Sequence, residues 1–115
     1  MKYIILTYES AAALQSRGGA EQAGYWGAWR AYTQALQQSG VMTGGAPLQP
    51  PDTGTTLRLR NGARQVQDGP YADTKEQLGG YFTVEVPDLD QALSWAARCP
   101  GASHGAIEVR PIWEM

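Results

Sequence analysis

The sequence has little of the chemistry that disulfides and metal sites need. Its 115 residues include one cysteine, Cys99, and one histidine, His104. A single cysteine excludes an internal disulfide and favours a reducing compartment. One cysteine and one histidine are too few for a transition-metal site, so we expect no metal and no cofactor. Cys99 precedes a proline, which favours a small apolar packing role over a nucleophilic one.

An excess of one charge and long apolar runs are also missing. Nine basic and eleven acidic residues give a net charge of -2. The basic residues are scattered, so the sequence offers no electrostatic case for binding nucleic acid. The apolar run from Tyr3 to Leu6 is too short for a signal peptide, and no other run approaches the length of a membrane span. We therefore expect a cytoplasmic protein that binds neither membranes nor nucleic acid.

Length and composition predict a single globular domain over residues 1–115. Hydrophobic residues make up 43% of the chain and charged residues 17%, which fits a folded protein with one core. Apolar periodicity predicts strands at 2–8, 41–48, 55–60, 63–67, 80–86 and 105–112, and helices at 25–39 and 88–98. Residues 10–24 are dominated by Ala, Gln and Gly and are expected to form a mobile loop or a weak helical turn.

Three short signals mark where these elements begin, turn or end. Asn61-Gly62 is the preferred dipeptide of a two-residue hairpin turn, because both positions need a positive φ. Gly40 follows the first helix as a C-cap, and Asp88 lies at the start of the second, either as its N-cap or beside the N-cap.

The order of the elements is that of a split β-α-β fold of the α+β class. We expect an antiparallel sheet with two helices packed on one face. Such a sheet leaves its other face bare, and apolar side chains there need a cover. A second copy of the same subunit is the simplest cover. The prediction is therefore a homodimer whose sheets pack face to face.

Polar residues are densest in the segment DGPYADTKEQLGG, Asp68 to Gly80. Asp68 stands at a strand end before Gly-Pro, where its carboxylate can accept backbone N–H bonds and fix the turn. The alternative is catalytic. In that interpretation Asp68 is a general base in an apolar cleft beside Trp26 or Trp29.

Four further residues are candidates for ligand binding, each with a structural alternative. Tyr71 is either a half-buried aromatic anchor or a hydroxyl donor to a ligand. Lys75 can pair with a ligand carboxylate or phosphate while Glu76 holds it in position, or both can belong to a solvated turn. His104 lies in the loop before the last strand, where it either faces solvent or approaches a sheet end, which is the end opposite Asp68 or the end near it.

The first predicted helix carries a stripe of large aromatic side chains. Trp26, Trp29 and Tyr32 follow one another at three-residue spacing and so share a face. Such a stripe usually packs against a sheet. We also consider Trp26 and Trp29 as walls of a ligand cleft.

The run QDGPYADTKEQLGGYFTVEVPDLDQALSWAARCP, followed by GAIEVRPI, resembles the YCII-related proteins. Within them it is similar to the subgroup with a DGPF motif, which is written here as Asp68-Gly69-Pro70-Tyr71. The upstream run SGVMTGGAPLQPPDTGTTLRLR fits the same subgroup. The resemblance implies a ferredoxin-like α+β fold and a dimeric α/β-barrel-type assembly. It also implies relatives encoded beside extracytoplasmic-function sigma factors, and others resembling small ring-acting isomerases or dehydrochlorinases.

Some members of this family have a histidine in the first helix that pairs with the aspartate of the DGP turn. Residues 25–40 contain no histidine here, so that dyad is not carried over. Three interpretations remain. The first is a small dimeric enzyme or ligand-binding protein that acts on a small molecule with Asp68 as general base. The second is a non-catalytic regulatory module associated with a sigma factor, and the third makes the polar loop a rigid connector.

Overall fold

The computed structural model describes all residues of the chain, 1–115. Its six strands are β1 Lys2–Ser10, β2 Met42–Pro47, β3 Thr55–Arg60, β4 Ala63–Asp68, β5 Glu76–Glu85 and β6 Ala106–Pro111. Its three α-helices are α1 Ala11–Gln15, α2 Gln22–Ser39 and α3 Leu89–Ala97, and short 3₁₀ turns occur at Pro51–Thr53 and Pro100–Ser103. None of the helices combines the length and apolar character needed to span a bilayer.

Four of the strands form one antiparallel sheet in the order β2-β5-β1-β6. The central strand β1 therefore pairs with β5 on one side and β6 on the other. This order, with helices following β1 and β5, is the ferredoxin-like arrangement of a split β-α-β fold. The predicted α+β class and antiparallel sheet are confirmed.

The core lies between this sheet and the two longer helices. Along β1, Tyr3, Ile5, Thr7 and Glu9 are buried, and the residues between them are only half-buried. The alternation arises because successive side chains of a strand point to opposite faces. The helices and β5 complete the core with Tyr32, Leu36, Val84, Ala92 and Ala96.

Local sequence signals correctly placed several element boundaries. Gly40 ends α2 in the left-handed conformation, with φ 79°, which costs glycine little. Asp88 caps α3, because its carboxylate accepts a hydrogen bond of 2.9 Å from the backbone N–H of Gln91. Asn61 and Gly62 both have positive φ, 53° and 77°, as the predicted hairpin turn requires.

The segment after β1 is more regular than a mobile loop. α1 begins directly after Ser10, whose hydroxyl accepts a hydrogen bond of 3.2 Å from the N–H of Ala13. α2 then starts at Gln22, three residues before the predicted helix start. The helical alternative for this segment is the correct one, since a serine cap and an alanine run both favour a helix.

Strands β3 and β4 pair only with each other and form a separate two-stranded sheet, residues 55–68, which we call the hairpin arm. Every residue of β4 is exposed. The arm widens the molecule to extents of 47 × 44 × 19 Å. The polar loop after the arm is shorter than predicted, because β5 already begins at Glu76.

Candidate functional site

A cavity of about 280 Å³ lies between α2 and the edge of the sheet formed by β2 and β5. Its apolar wall consists of two indoles from α2, the phenyl ring of β5 and a thioether from β2. Its polar groups are two threonine hydroxyls and two guanidinium groups. The side chains concerned are Trp26, Trp29, Phe82, Met42, Thr7, Thr33, Arg17 and Arg30.

The aromatic wall is held in place by contacts among its own rings. Trp29 stacks on Phe82, with ring centroids 6.2 Å apart and an interplanar angle of 14°. It meets Tyr32 edge to face at 6.1 Å. The indole N–H of Trp26 donates a hydrogen bond of 3.0 Å to the carbonyl of Arg17. These contacts fix both indoles, so the cavity is formed without a ligand.

Two glycines beside the cavity allow neighbouring parts of the chain to approach closely. The register of β1 against β5 shifts between Thr7 and Tyr8, which leaves Gly79 as the extra residue of a bulge. A Cβ on Gly79 would lie 2.9 Å from a methyl of Leu14. A Cβ on Gly45 would lie 2.7 Å from the carbonyl oxygen of Tyr81. A side chain at Gly79 would therefore press into α1, and one at Gly45 into the neighbouring strand β5.

Each of the three guanidinium nitrogens of Arg17 donates a hydrogen bond within the protein. Its Nε donates a hydrogen bond of 3.0 Å to the Tyr25 hydroxyl, and its Nη2 donates one of 2.8 Å to the Gly79 carbonyl. A third bond runs from Nη1 to the carbonyl of Leu48. The guanidinium carbon also lies 5.1 Å from the ring centre of Trp26. Arg17 therefore connects the segment after α1 to both β5 and the end of β2.

Arg30 lines the same cavity but stays free. Its side chain is exposed, and the chain's one salt bridge joins two other residues, Glu9 and His104. A guanidinium without a protein counter-ion is a ready partner for a ligand anion. Among the groups of the cavity wall, Arg30 is thus the available cation.

Behind the indole of Trp29 lies a buried acid, Glu9, whose side chain is only 1% exposed. One carboxylate oxygen accepts a hydrogen bond of 2.6 Å from the Tyr25 hydroxyl, and the other lies 2.8 Å from Nε2 of His104. A Cβ on Gly101 would lie within 3.4 Å of both Glu9 and Trp29, so the two side chains pack closely against the same backbone segment. The chain thus holds a buried carboxylate beside the cavity wall.

The Tyr25 hydroxyl joins the buried acid to the cavity wall. Burial raises the pKa of Tyr25 to about 12, the hydrogen bond to Glu9 acts in the same direction, and the one from Arg17 opposes it. Tyr25 is therefore a neutral donor at physiological pH. The polar chain from the cavity inward is Arg17, Tyr25, Glu9 and His104, and it reaches solvent at His104, whose side chain is 47% exposed.

Of the residues that the sequence proposed for ligand binding, Trp26 and Trp29 line the cavity and His104 belongs to the adjoining polar chain. His104 approaches the end of β1 and pairs with Glu9, not with Asp68. Glu76 begins β5, opposite Ser10. The binding roles of these four residues remain predictions.

The structure places Asp68, Tyr71 and Lys75 outside this cavity. Asp68 is the exposed last residue of β4, opposite Thr55. Tyr71 is 77% exposed, with the guanidinium of Arg58 lying 5.2 Å from its ring centre, so it is not the half-buried anchor considered above. Lys75 is exposed. Within one protomer these side chains do not meet the aromatic wall.

The turn at Asp68 is held by hydrogen bonds to the backbone of Gly69. The N–H of Gly69 donates a hydrogen bond of 2.7 Å to the carbonyl of Gly54. The hydroxyl of Thr56 donates one of 2.9 Å to the carbonyl of Gly69. Gly69 adopts φ 100°, a conformation that favours glycine. The glycine of the DGP sequence, and not the aspartate side chain, accounts for the turn.

Sequence analysis missed Glu9, Arg17 and Arg30. A signal for Glu9 was present, since it follows Tyr3, Ile5 and Thr7 at two-residue spacing on a buried strand and must point to the same face. Arg17 and Arg30 carry no such pattern. They became recognisable only when α2 and the β2–β5 edge were placed together.

Other titratable groups offer no second site. Burial raises the pKa of the Cys99 thiol to about 11, which keeps the thiol protonated and agrees with its packing role. No three His, Cys, Asp or Glu side chains lie close enough together to hold a metal ion.

Comparisons with known proteins agree with this architecture. The chain is 44% identical over 69 residues to an uncharacterised protein of Rhizobium meliloti (strain 1021), a match that covers 58% of this chain and 56% of that protein. The matched part of the chain thus spans about half the length of this curated relative. A solved structure of similar fold is 5-chloro-2-hydroxyhydroquinone dehydrochlorinase from Burkholderia phenoliruptrix AC1100 in complex with 2,5-dihydroxybenzoquinone. That structure has a TM-score of 0.57 and 21% sequence identity, and the similarity covers 99% of this chain and 94% of that one.

The family itself is shown by a profile match to the YCII-related domain that runs over residues 1–115. The whole described chain, including the hairpin arm, lies within this match. The protein therefore belongs to the YCII-related domain family.

Proposed function

We propose that this protein binds, and acts on, a planar ring compound that carries an anionic oxygen, held in the cavity between α2 and the β2–β5 edge. The observation that supports this most directly is a preformed aromatic wall that includes an exposed arginine, Arg30, whose guanidinium, unlike that of Arg17, is not used in hydrogen bonds within the protein. Aromatic walls bind flat rings, and a free guanidinium binds carboxylates or phenolates through charge-assisted hydrogen bonds.

The cavity volume limits the size of the ligand. At about 280 Å³ it lies at the lower end of the range for small-molecule pockets, roughly 300–1,000 Å³. A single substituted ring is therefore a better fit than a dinucleotide or a peptide. The dehydrochlorinase of similar fold was solved with 2,5-dihydroxybenzoquinone, a ring of this kind. Because the two proteins share only 21% sequence identity, we use this compound as a probe and do not transfer it as the ligand of this protein.

Two carboxylates are candidates for the general base. Glu9 is supported by its burial beside the cavity wall and by its contact with His104, whose side chain is 47% exposed and connects the acid to solvent. Asp68 is supported by its place in the family-like motif, but it lies on the exposed arm of the protomer. Glu9 is the better-supported base. Deuterium incorporation at the ring carbons of 2,5-dihydroxybenzoquinone would separate the two, since Glu9→Gln should stop exchange and Asp68→Asn should not.

Binding is tested by calorimetric titration with benzoate and with benzamide, its neutral isostere. We expect benzoate to bind more tightly, and Arg30→Gln to weaken benzoate about tenfold, the lower end of what a hydrogen bond to a charged group contributes. Benzamide should be nearly unaffected. Arg64→Gln, at an exposed arginine on the arm, is the matched control. Equal effects of the two arginine variants, or no binding of either probe at millimolar concentration, would overturn the proposal.

The alternative of a regulatory module on an extracytoplasmic-function sigma factor stays a prediction. No feature of the cavity or of the polar chain favours it.

A further inference from the structure

A second hollow, of about 440 Å³, adjoins the cavity described above. It lies between the end of α1, the start of α2 and residues 47–50, and we call it the outer hollow. Three residues, Arg17, Trp26 and Pro47, line both spaces. The two spaces therefore share a boundary, and a single ligand can extend from one into the other.

The positions of the lining residues give the two spaces a direction. On α2, Arg30 lines only the cavity, whereas Trp26 lines both spaces. On β2, Met42 lines only the cavity, whereas Pro47 lines both. Four residues of helix separate Trp26 from Arg30, a rise of about 6 Å, which is similar to the length of a benzoate ion. A ring whose anionic group binds Arg30 therefore directs its para position toward the outer hollow.

The outer hollow differs chemically from the cavity. Its walls are mainly aliphatic and include Leu14, Pro47, Leu48 and Pro50. No aspartate or glutamate lines either space, and the one cation of the hollow, Arg17, already donates three hydrogen bonds to protein groups. A second charged group on the ligand would lose hydration there without gaining a free counter-ion. An uncharged, apolar substituent is what these walls favour.

The wall at residues 47–50 is held in place by the protein itself. The N–H of Leu48 donates a hydrogen bond of 2.9 Å to the carbonyl of Gly79, and the carbonyl of Leu48 accepts one from Nη1 of Arg17. Pro47 and Pro50 restrict the backbone further, since a proline ring fixes φ at about -65°. A preformed wall does not have to be ordered when a ligand binds, so apolar contact with it adds directly to affinity.

We infer that the outer hollow binds an uncharged apolar chain in the para position of the ring ligand. The substrate class is then an aromatic acid or phenol with an alkyl chain opposite its anionic oxygen. This inference rests on the ring-binding function proposed above and makes its substrate more specific. Trp26, which lines both spaces, contacts the junction of ring and chain.

Calorimetric titration with three ligands tests the chain. We expect para-butylbenzoate to bind at least about tenfold more tightly than benzoate, because burial of only two methylene groups has an effect of this size. The third ligand is a para-butylbenzoate whose chain ends in a carboxylate. It should bind no more tightly than benzoate, since the outer hollow holds no free cation.

Leu48→Asn tests the wall, because it replaces an aliphatic side chain and keeps the backbone groups that bind Gly79 and Arg17. Leu93→Asn is the matched control, at a leucine of α3 that lines neither space. The two leucines are 37% and 47% exposed, so circular dichroism should show folded protein in both variants. We expect Leu48→Asn to reduce the advantage of para-butylbenzoate to below about threefold without changing benzoate binding, and Leu93→Asn to change neither.

The outcomes separate this inference from the function on which it rests. If benzoate itself does not bind at millimolar concentration, the ring-binding function is wrong and this inference is wrong with it. If benzoate binds but the butyl chain adds nothing, or if both leucine variants lose the gain equally, only the role of the outer hollow is overturned. Tighter binding of the carboxylate-ended chain would overturn the assignment of an uncharged substituent.

Discussion

The contact between Glu9 and His104 allows a quantitative prediction for the free energy of unfolding. Glu9 is almost fully buried and has two partners, the Tyr25 hydroxyl and the His104 imidazole. His104→Ala removes one of them. Breaking a fully buried charge pair costs about 3–5 kcal/mol. His104 is half-exposed, so water can enter its place, and the cost falls toward that of one hydrogen bond to a charged group, about 2 kcal/mol.

Glu9→Gln removes the charge and keeps both the shape and the acceptor for Tyr25. In this background His104→Ala should cost only about 0.5 kcal/mol, because no buried charge is left unpaired. The coupling between the two positions is then about 1.5 kcal/mol, within the range found for residues in direct contact. Urea denaturation of the four proteins measures it.

Glu108→Gln is the matched control for this cycle. Glu108 is an exposed acid on β6 whose carboxylate accepts a hydrogen bond of 3.4 Å from the Tyr8 hydroxyl, and the substitution should change the free energy of unfolding by less than about 0.5 kcal/mol. If His104→Ala costs the same in the wild type as in the Glu9→Gln background, the two side chains do not interact energetically, and the polar chain described above is not a functional unit.

Single positions give three further predictions. The raised pKa of Tyr25 means that folding stabilises its neutral form, so the contribution of Tyr25 to stability is intact below about pH 10 and is lost as the pH rises toward 12. The free energy of unfolding should therefore fall more steeply over that range in the wild type than in Tyr25→Phe. Gly105→Ala should destabilise the folded protein by at least about 3 kcal/mol, since a Cβ there would lie 2.1 Å from the Tyr8 carbonyl oxygen. Gly27→Ala, within α2 and with open space around it, should instead stabilise the protein by about 0.5–1 kcal/mol. Thermal denaturation of the two variants distinguishes these outcomes. Asp68→Asn should leave stability within about 0.5 kcal/mol, and loss of ring exchange in that variant would return the role of general base to Asp68.

Sequence reasoning succeeded where a feature depends on near neighbours. The turn at Asn61-Gly62, the helix start at Asp88 and the first strand each rest on a few consecutive residues, and all are present. These elements in their order were sufficient to predict a split β-α-β fold, because few topologies accommodate them, and the family resemblance implied its ferredoxin-like form.

The site was harder to predict, because its partners are distant in sequence. Glu9 meets Tyr25 across 16 positions and His104 across 95. The prediction centred on Asp68 assumed that the polar loop folds back over the sheet. The arm instead projects as its own hairpin, and no property of residues 55–68 alone distinguishes the two arrangements.

On the buried face of β1 the side chains change from apolar to polar along the strand, and this change determines where the site lies. Tyr3 and Ile5 face the apolar core, Thr7 reaches the cavity and donates to the Gly80 carbonyl at 3.1 Å, and Glu9 lies in the polar chain. The cavity and the buried acid both lower the stability of this end of the protomer, because lost packing and a desolvated charge cost free energy. A protomer with only 15 of its 115 residues buried has little stability to spare.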